Sequence, residues 1–198
     1  MYILLADGTE ELEFVACYDI LVRAGFTVHS IGVSLATEHA TCTRHIRIIP
    51  DIPTLSALPP VTELARSPSV AALIIPGGGP GAATMASSLD VSALINAFRA
   101  AGKLVGAICA GTTALVAAQE REEAKAGKVR VTSHPSVRQG IVDKGWEYAD
   151  ERVVVDGNVV TSRGPGSAIA FALKVVEVLA GKDKAEEVRG PLMCADTL

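Results

Sequence analysis

The 198-residue chain is poor in aromatics, at 4 %, so any core it builds must be aliphatic. It has no basic surplus: 18 Lys and Arg stand against 22 Asp and Glu, for a formal charge of −4. A general nucleic-acid binder normally carries the opposite balance, which argues against nucleic-acid partners. It has no long apolar run, despite a mean hydropathy of +0.35. The longest, residues 70–76, is far below the roughly 18–20 residues a membrane span needs, so no membrane role is expected. Its four cysteines, Cys17, Cys42, Cys109 and Cys194, form no CxxC pair. That disfavours zinc ribbons, thioredoxin-like sites and a disulfide framework. No Cys, His or carboxylate pair repeats a ligand spacing convincingly, so no metal is expected. The chain opens on an apolar strand pattern, without a basic n-region or a cleavage site. A reducing compartment follows, the cytoplasm first and the nucleus as a further one, with free thiols.

What is present is 49 % hydrophobic residues in short runs that alternate with helical patterns. Apolar runs at 2–6, 27–32, 71–75 and 104–108 predict strands. The pair 153–155 and 159–161 around Asp156-Gly157-Asn158 predicts a hairpin. Helices are expected over 10–24 with Thr9 as N-cap, over about 88–101, from near Ile169 to Gly181, and over 184–189. The alternation predicts a single α/β domain over 1–198: a sandwich on a mostly parallel sheet, with no internal repeat. The charged stretch 119–128 reads as a solvated connection and the Pro-rich stretch 50–60 as a surface loop.

Ligands of such sheets bind beyond the carboxyl ends of the strands. There Cys109 ends an apolar strand and precedes Ala110-Gly111, a strand-turn-helix pattern like a nucleophile elbow. Backbone N–H groups and a helix N-terminus would favour its thiolate. A buried core cysteine is the plain alternative. Pro76-Gly77-Gly78-Gly79 ends the neighbouring strand pattern. It lacks the Lys-Ser/Thr of a Walker loop and suits an oxyanion hole beside Cys109, with Gly77, Gly78 and Ala110 as its backbone. Glu10 and Glu11 are explained by compensation of the helix dipole. Glu13 lies among apolar neighbours, where a raised pKa would let it shuttle protons. Of the histidines, His134, before Pro135 in a strand-end loop, is the best candidate base.

Together, Glu10-Glu11-Leu12-Glu13, Pro76-Gly77-Gly78, Ala107-Ile108-Cys109-Ala110-Gly111, Thr132-Ser133-His134-Pro135 and Thr161-Ser162-Arg163-Gly164-Pro165-Gly166 resemble, in order, the motifs of the DJ-1/PfpI superfamily, and within it the DJ-1 branch. The residues 186–194 resemble that branch's extra C-terminal helix and tail. Ala110 replaces the histidine of the protease-like branch. His134-Pro135-Ser136 lacks the His-x-Glu of class I glutamine amidotransferases, which share the elbow. Gly79 and Thr112 depart from animal members and resemble fungal ones.

The resemblance implies a flavodoxin-like fold, related to the class I amidotransferases, and a homodimer in which Arg23, Arg44 and Arg163 match positions at the dimer contact or beside the site. It implies a cofactor-free, glutathione-independent glyoxalase acting on methylglyoxal and glyoxal, or a deglycase acting on glycated adducts. Cys109 would be the nucleophile, Glu13 the proton relay and His134 a second acid/base. The alternative is a redox sensor or stress-protective holdase working through oxidation of Cys109 to sulfinate. A cysteine peptidase would need an acid near His134, and none is evident in the sequence.

Overall fold

The computed structural model describes residues 1–121 and 127–195. Strands β1 (Tyr2–Leu5), β2 (His29–Gly32), β5 (Ala72–Ile75), β6 (Leu104–Ile108), β7 (Val153–Asp156) and β8 (Val159–Ser162) form one sheet in the order β2-β1-β5-β6-β8-β7. Every pairing is parallel except the β7–β8 hairpin at the edge. Two short strands, β3 (Ala40–Thr41) and β4 (Arg47–Ile48), make a separate antiparallel pair. Strands β5 and β6 are buried at every position, as continuous apolar runs must be when helices cover both sheet faces.

One face is covered by α1 (Glu11–Arg23) and α7 (Ala168–Ala180), where Phe14, Ile20 and Leu21 join Phe171 and Val175. The other is covered by α2 (Val61–Arg66), α4 (Leu89–Ala100) and α5 (Thr112–Arg121), through Leu64, Leu94, Ile95, Phe98 and Leu115. Helices α3 (Gly79–Ser87) and α6 (Pro135–Val142) start from strand-end loops, and α8 (Lys182–Arg189) closes the chain by adding Ala185 and Val188 to the first core. The result is the α/β sandwich on a mostly parallel sheet that the alternation predicts, and the flavodoxin-like fold that the resemblance implies. No helix among the described residues is long and apolar enough to cross a membrane.

Some of the differences from expectation have local reasons. Thr9 does not cap α1: its hydroxyl accepts from the Ala6 N–H at 2.9 Å. The longer Glu10 side chain caps instead, accepting from the Glu13 N–H at 2.9 Å. Helix α3 escapes the periodicity test because its residues, GPGAATMAS, are mostly small. Of the stretch 119–128, residues 119–121 are the last turn of α5, and 122–126 lie outside the described residues.

Candidate active site

Sheet register builds the site. Ile75 pairs with Ala107, and Ile108 pairs with Ser162. Continuing each pairing past the sheet's carboxyl edge brings Gly77, Cys109 and Arg163 into one row. Leaving β6, the chain turns through Cys109 at a φ of 62°, a left-handed conformation costly for a residue with a Cβ. This is the elbow the sequence suggested. Cys109 is 8 % exposed.

Glu13 approaches from α1. It is fully buried, and its Oε2 accepts from the Gly77 N–H at 2.7 Å. Its Oε1 is buried without a hydrogen-bond partner. A Cβ on Gly77 would stand 2.7 Å from the Cys109 Cβ, 2.8 Å from Glu13 Oε2 and 3.0 Å from the Ala110 N. All three groups therefore converge on the bare Gly77 backbone. Gly78 follows at a φ of 85°, packed where a Cβ would lie 2.1 Å from the Gly8 carbonyl oxygen.

This corrects one expectation. The Gly77 N–H is committed to Glu13 and is not free for an oxyanion. The donors that reach the Cys109 sulfur are the N–H groups of Ala110 and Gly78.

Burial pushes the Glu13 carboxyl up to about 7; the Gly77 N–H and the Cys109 thiol pull it down, and Glu10 pushes it up. Burial pushes the Cys109 thiol up to about 12, helped by the charge of Glu13 and opposed by the Ala110 and Gly78 N–H groups. The expected low-pKa thiol is therefore absent, burial being the larger cause and the Glu13 charge the next. The two groups titrate as a pair. A proton on Glu13 removes the repulsion and gives the thiolate a donor.

The remaining sequence candidates divide. His134 N donates to the Cys109 carbonyl at 3.3 Å, so His134 adjoins the elbow. Arg163, next in the row, is paired with Asp150. Arg44 is tied to the site through its backbone. Its N–H, like the Thr43 hydroxyl, donates to buried Glu11 at 2.6 Å. Arg23 lies in the last turn of α1, paired with Asp19 at 2.6 Å and far from Cys109. Glu11 thus clamps the 43–44 loop, a role hidden behind its position in a dipole-compensating cluster. Among the described residues no group of three His, Cys, Asp or Glu could hold a metal ion.

A sequence model of the DJ-1/PfpI family matches residues 1–178. The chain belongs to the DJ-1/PfpI family. It is 38 % identical over 196 residues to protein dj-1beta of Drosophila melanogaster, spanning 98 % of this chain and 96 % of that protein. It is 37 % identical over 195 residues to the glutathione-independent glyoxalase DJR-1.2 of Caenorhabditis elegans, with the same coverage. The solved structure of Schizosaccharomyces pombe DJ-1 superposes with a TM-score of 0.87 at 32 % identity, covering 98 % of each chain.

In this DJ-1/PfpI chain the other thiols are placed to react slowly. Cys17 is 1 % exposed, and its thiol is pushed up by burial and then by Glu13. Cys42 is 3 % exposed, and burial and then the neighbouring carboxylates push its thiol up. Among the described residues no N–H donor stands beside its sulfur to stabilise a thiolate, the donor set that distinguishes Cys109. At neutral pH iodoacetamide should alkylate Cys109 well before either, as read by peptide mass spectrometry. Faster labelling of Cys17 or Cys42 would remove Cys109 from its role. Cys194, in the partly exposed tail, is compared by the pH profile of its rate.

Proposed function

We propose that this protein is a glutathione-independent glyoxalase that converts methylglyoxal to lactate, and glyoxal to glycolate, with Cys109, Glu13 and His134 as its catalytic residues. The observation that carries the reading is a cysteine held at an elbow against a fully buried carboxyl with a pKa near 7. The glyoxalase name of the Caenorhabditis relative supports it.

The Cys109 sulfur adds to the aldehyde carbon, giving a hemithioacetal. The thiol proton passes through Glu13 to the new alkoxide, which the Ala110 and Gly78 N–H groups stabilise as it forms. Glu13 then removes the C–H proton of that carbon, producing an enediol, and returns a proton to the neighbouring carbon. The resulting lactoyl thioester is hydrolysed by water, releasing lactate and the thiol. The sum is methylglyoxal plus water to lactic acid, with no external oxidant or cofactor. Deglycation of early adducts is the same chemistry applied to aldehyde released from an amine or thiol. The test is lactate formation by purified protein without added thiol. No lactate from the wild type rejects the reading.

The redox alternative draws on one observation: the N–H donors at sulfur also suit the oxygens of a sulfinate.

The functional form is a homodimer. Leu12, Val15 and Val22 leave an apolar stripe on the outer face of α1, 56 %, 49 % and 48 % exposed. A groove of about 460 Å³ runs beside it, lined by Val15, Tyr18, Val22, Ile48 and Ile49. Two such faces in contact would bury the stripe. Val22→Asp should convert dimer to monomer in light scattering; an unchanged mass would place the interface elsewhere.

A further inference from the structure

Gly77 has to be glycine: a Cβ there would stand 2.7 Å from the Cys109 Cβ and 2.8 Å from Glu13 Oε2. Gly78 follows at a φ of 85°, and a Cβ on it would meet the Gly8 carbonyl oxygen at 2.1 Å. Two glycines in succession leave the peptide between them with little resistance to rotation. A flip of that peptide would carry Gly78 to a negative φ, which glycine adopts as readily. Yet this peptide carries one of the two N–H groups that reach the Cys109 sulfur. The close approach that builds the site thus leaves one of its donors free to turn.

The start of α1 removes that freedom. The Glu10 N–H donates to the Gly77 carbonyl at 3.0 Å, and the Gly77 N–H donates to Glu13 Oε2 at 2.7 Å. Gly77 is therefore held at both ends, by residues one helical turn apart. In a trans peptide the C=O and the following N–H point in opposite directions. With the Gly77 carbonyl drawn toward Glu10, the Gly78 N–H faces the other way, where the Cys109 sulfur lies. The anchor is itself fixed. The Glu10 carboxylate accepts from the Glu13 N–H at 2.9 Å, and its carbonyl accepts from the Phe14 N–H at 3.1 Å. Just before it, the Thr9 carbonyl accepts from the Thr43 N–H at 3.0 Å. Compensation of the helix dipole accounts for the charge of Glu10 and not for where its N–H is aimed.

We propose that Glu10 is a positioning residue: its backbone N–H, by holding the Gly77 carbonyl, keeps the Gly77–Gly78 peptide from flipping and the Gly78 N–H on the Cys109 sulfur. Its bearing on turnover rests on the glyoxalase reading. As the hemithioacetal alkoxide forms, a donor that is already aimed needs no reorganisation. In the flipped peptide the same place would present the Gly77 carbonyl oxygen, which repels the growing negative charge. Loss of the one anchor therefore removes a donor and adds an acceptor. Glu10 acts only through that peptide.

The test removes the N–H alone. Residue 17 is a cysteine, so a synthetic 1–16 thioester can be ligated to residues 17–198 and the full chain folded. An ester between Thr9 and residue 10 replaces the N–H by oxygen and keeps the capping side chain. Glu10→Pro removes the same N–H by another route. The Glu10 φ of −78° suits proline, and the Thr9 carbonyl that accepts from Thr43 stays that of an amide. Glu10→Ala keeps the N–H and loses the cap. The ester and Glu10→Pro should lower kcat for lactate formation about 10²-fold, the lower end of what losing one oxyanion donor costs, with KM changed far less. Alkylation of Cys109 by iodoacetamide at neutral pH should slow about tenfold in both, because the thiolate loses a charge-assisted hydrogen bond. Glu10→Ala should stay within about threefold of the wild type in both measurements. An ester variant that close to the wild type in kcat or in alkylation rate, or a Glu10→Ala loss as deep as the ester's, would overturn the proposal. If Glu10→Pro does not fold, the near-isosteric ester decides alone. A wild type that makes no lactate overturns the functional reading instead, while the alkylation rates still test the N–H.

Discussion

Cys109→Ser is expected to make no detectable lactate from methylglyoxal, a loss of at least about 10³-fold, since a nucleophile and its proton-transfer partners act as a unit. The substitution changes one atom and leaves the rest of the elbow. Serine adopts the same φ of 62° at the same strain, fits the same volume, and can accept from the Ala110 and Gly78 N–H groups. It therefore isolates sulfur as the reacting atom. Thermal unfolding should shift by only a few degrees, because no cavity is created and no buried donor is orphaned. Peroxide should remove the same activity from the wild type. One peroxide oxidises the thiolate to sulfenate with loss of water, and a second gives the sulfinate, whose sulfur no longer has the lone-pair reactivity of a thiolate. Intact-mass and peptide analysis across a peroxide series, with lactate measured in parallel, connects the two. Turnover that survives Cys109→Ser, or full conversion of Cys109 to sulfinate, would exclude the covalent mechanism and favour the redox alternative.

What the sequence made legible follows from how locally each feature is encoded. The doubly covered strands show as uninterrupted aliphatic runs, the β7–β8 hairpin as Asp-Gly-Asn, and the elbow as a cysteine between a strand and a glycine. Each is written in fewer than ten consecutive residues. The site's decisive contacts join distant segments. Nothing near Gly77 says that its N–H is spoken for, because the acceptor, Glu13, lies 64 residues away. Glu11 and Glu13 sit on the same turn, yet one clamps a loop while the other meets the nucleophile. Only the three-dimensional path of residues 42–46 separates them. The thiol's pKa could not be read because burial, which pushes it up most, and the Glu13 charge beside it both come from segments distant in sequence. Helix α3, built from small residues, carries too little hydrophobic contrast for any period to show.

Glu13→Gln should lower kcat/KM about 10²–10⁴-fold, the range that general acid–base groups supply, and should at the same time stabilise the protein at neutral and alkaline pH. The two effects have one origin. Glutamine is nearly isosteric, and its carbonyl oxygen can still accept from the Gly77 N–H, but it cannot take or give a proton. The wild-type carboxyl is buried and has one oxygen without a partner, so the fold holds it more easily protonated than ionised. Its pKa near 7 lies above the ordinary value of 4.5 that the unfolded chain retains. Between those values the folded state binds more protons than the unfolded state, so stability falls as pH rises. The stabilising contribution is complete below about 4.5 and is lost as pH passes through about 7. Denaturant unfolding at a series of pH values should show that slope in the wild type and lose it in Glu13→Gln. The variant should be the more stable of the two at pH 8 by on the order of a few kcal/mol. Glu13→Asp keeps the proton but shortens the reach to Cys109, so it should recover part of the slope without the turnover. Near-wild-type lactate formation by Glu13→Gln would leave the carboxyl as a packing group. A variant equally sensitive to pH would show that Glu13 is ionised in the resting fold, and that the proton it was expected to relay to Cys109 is not there.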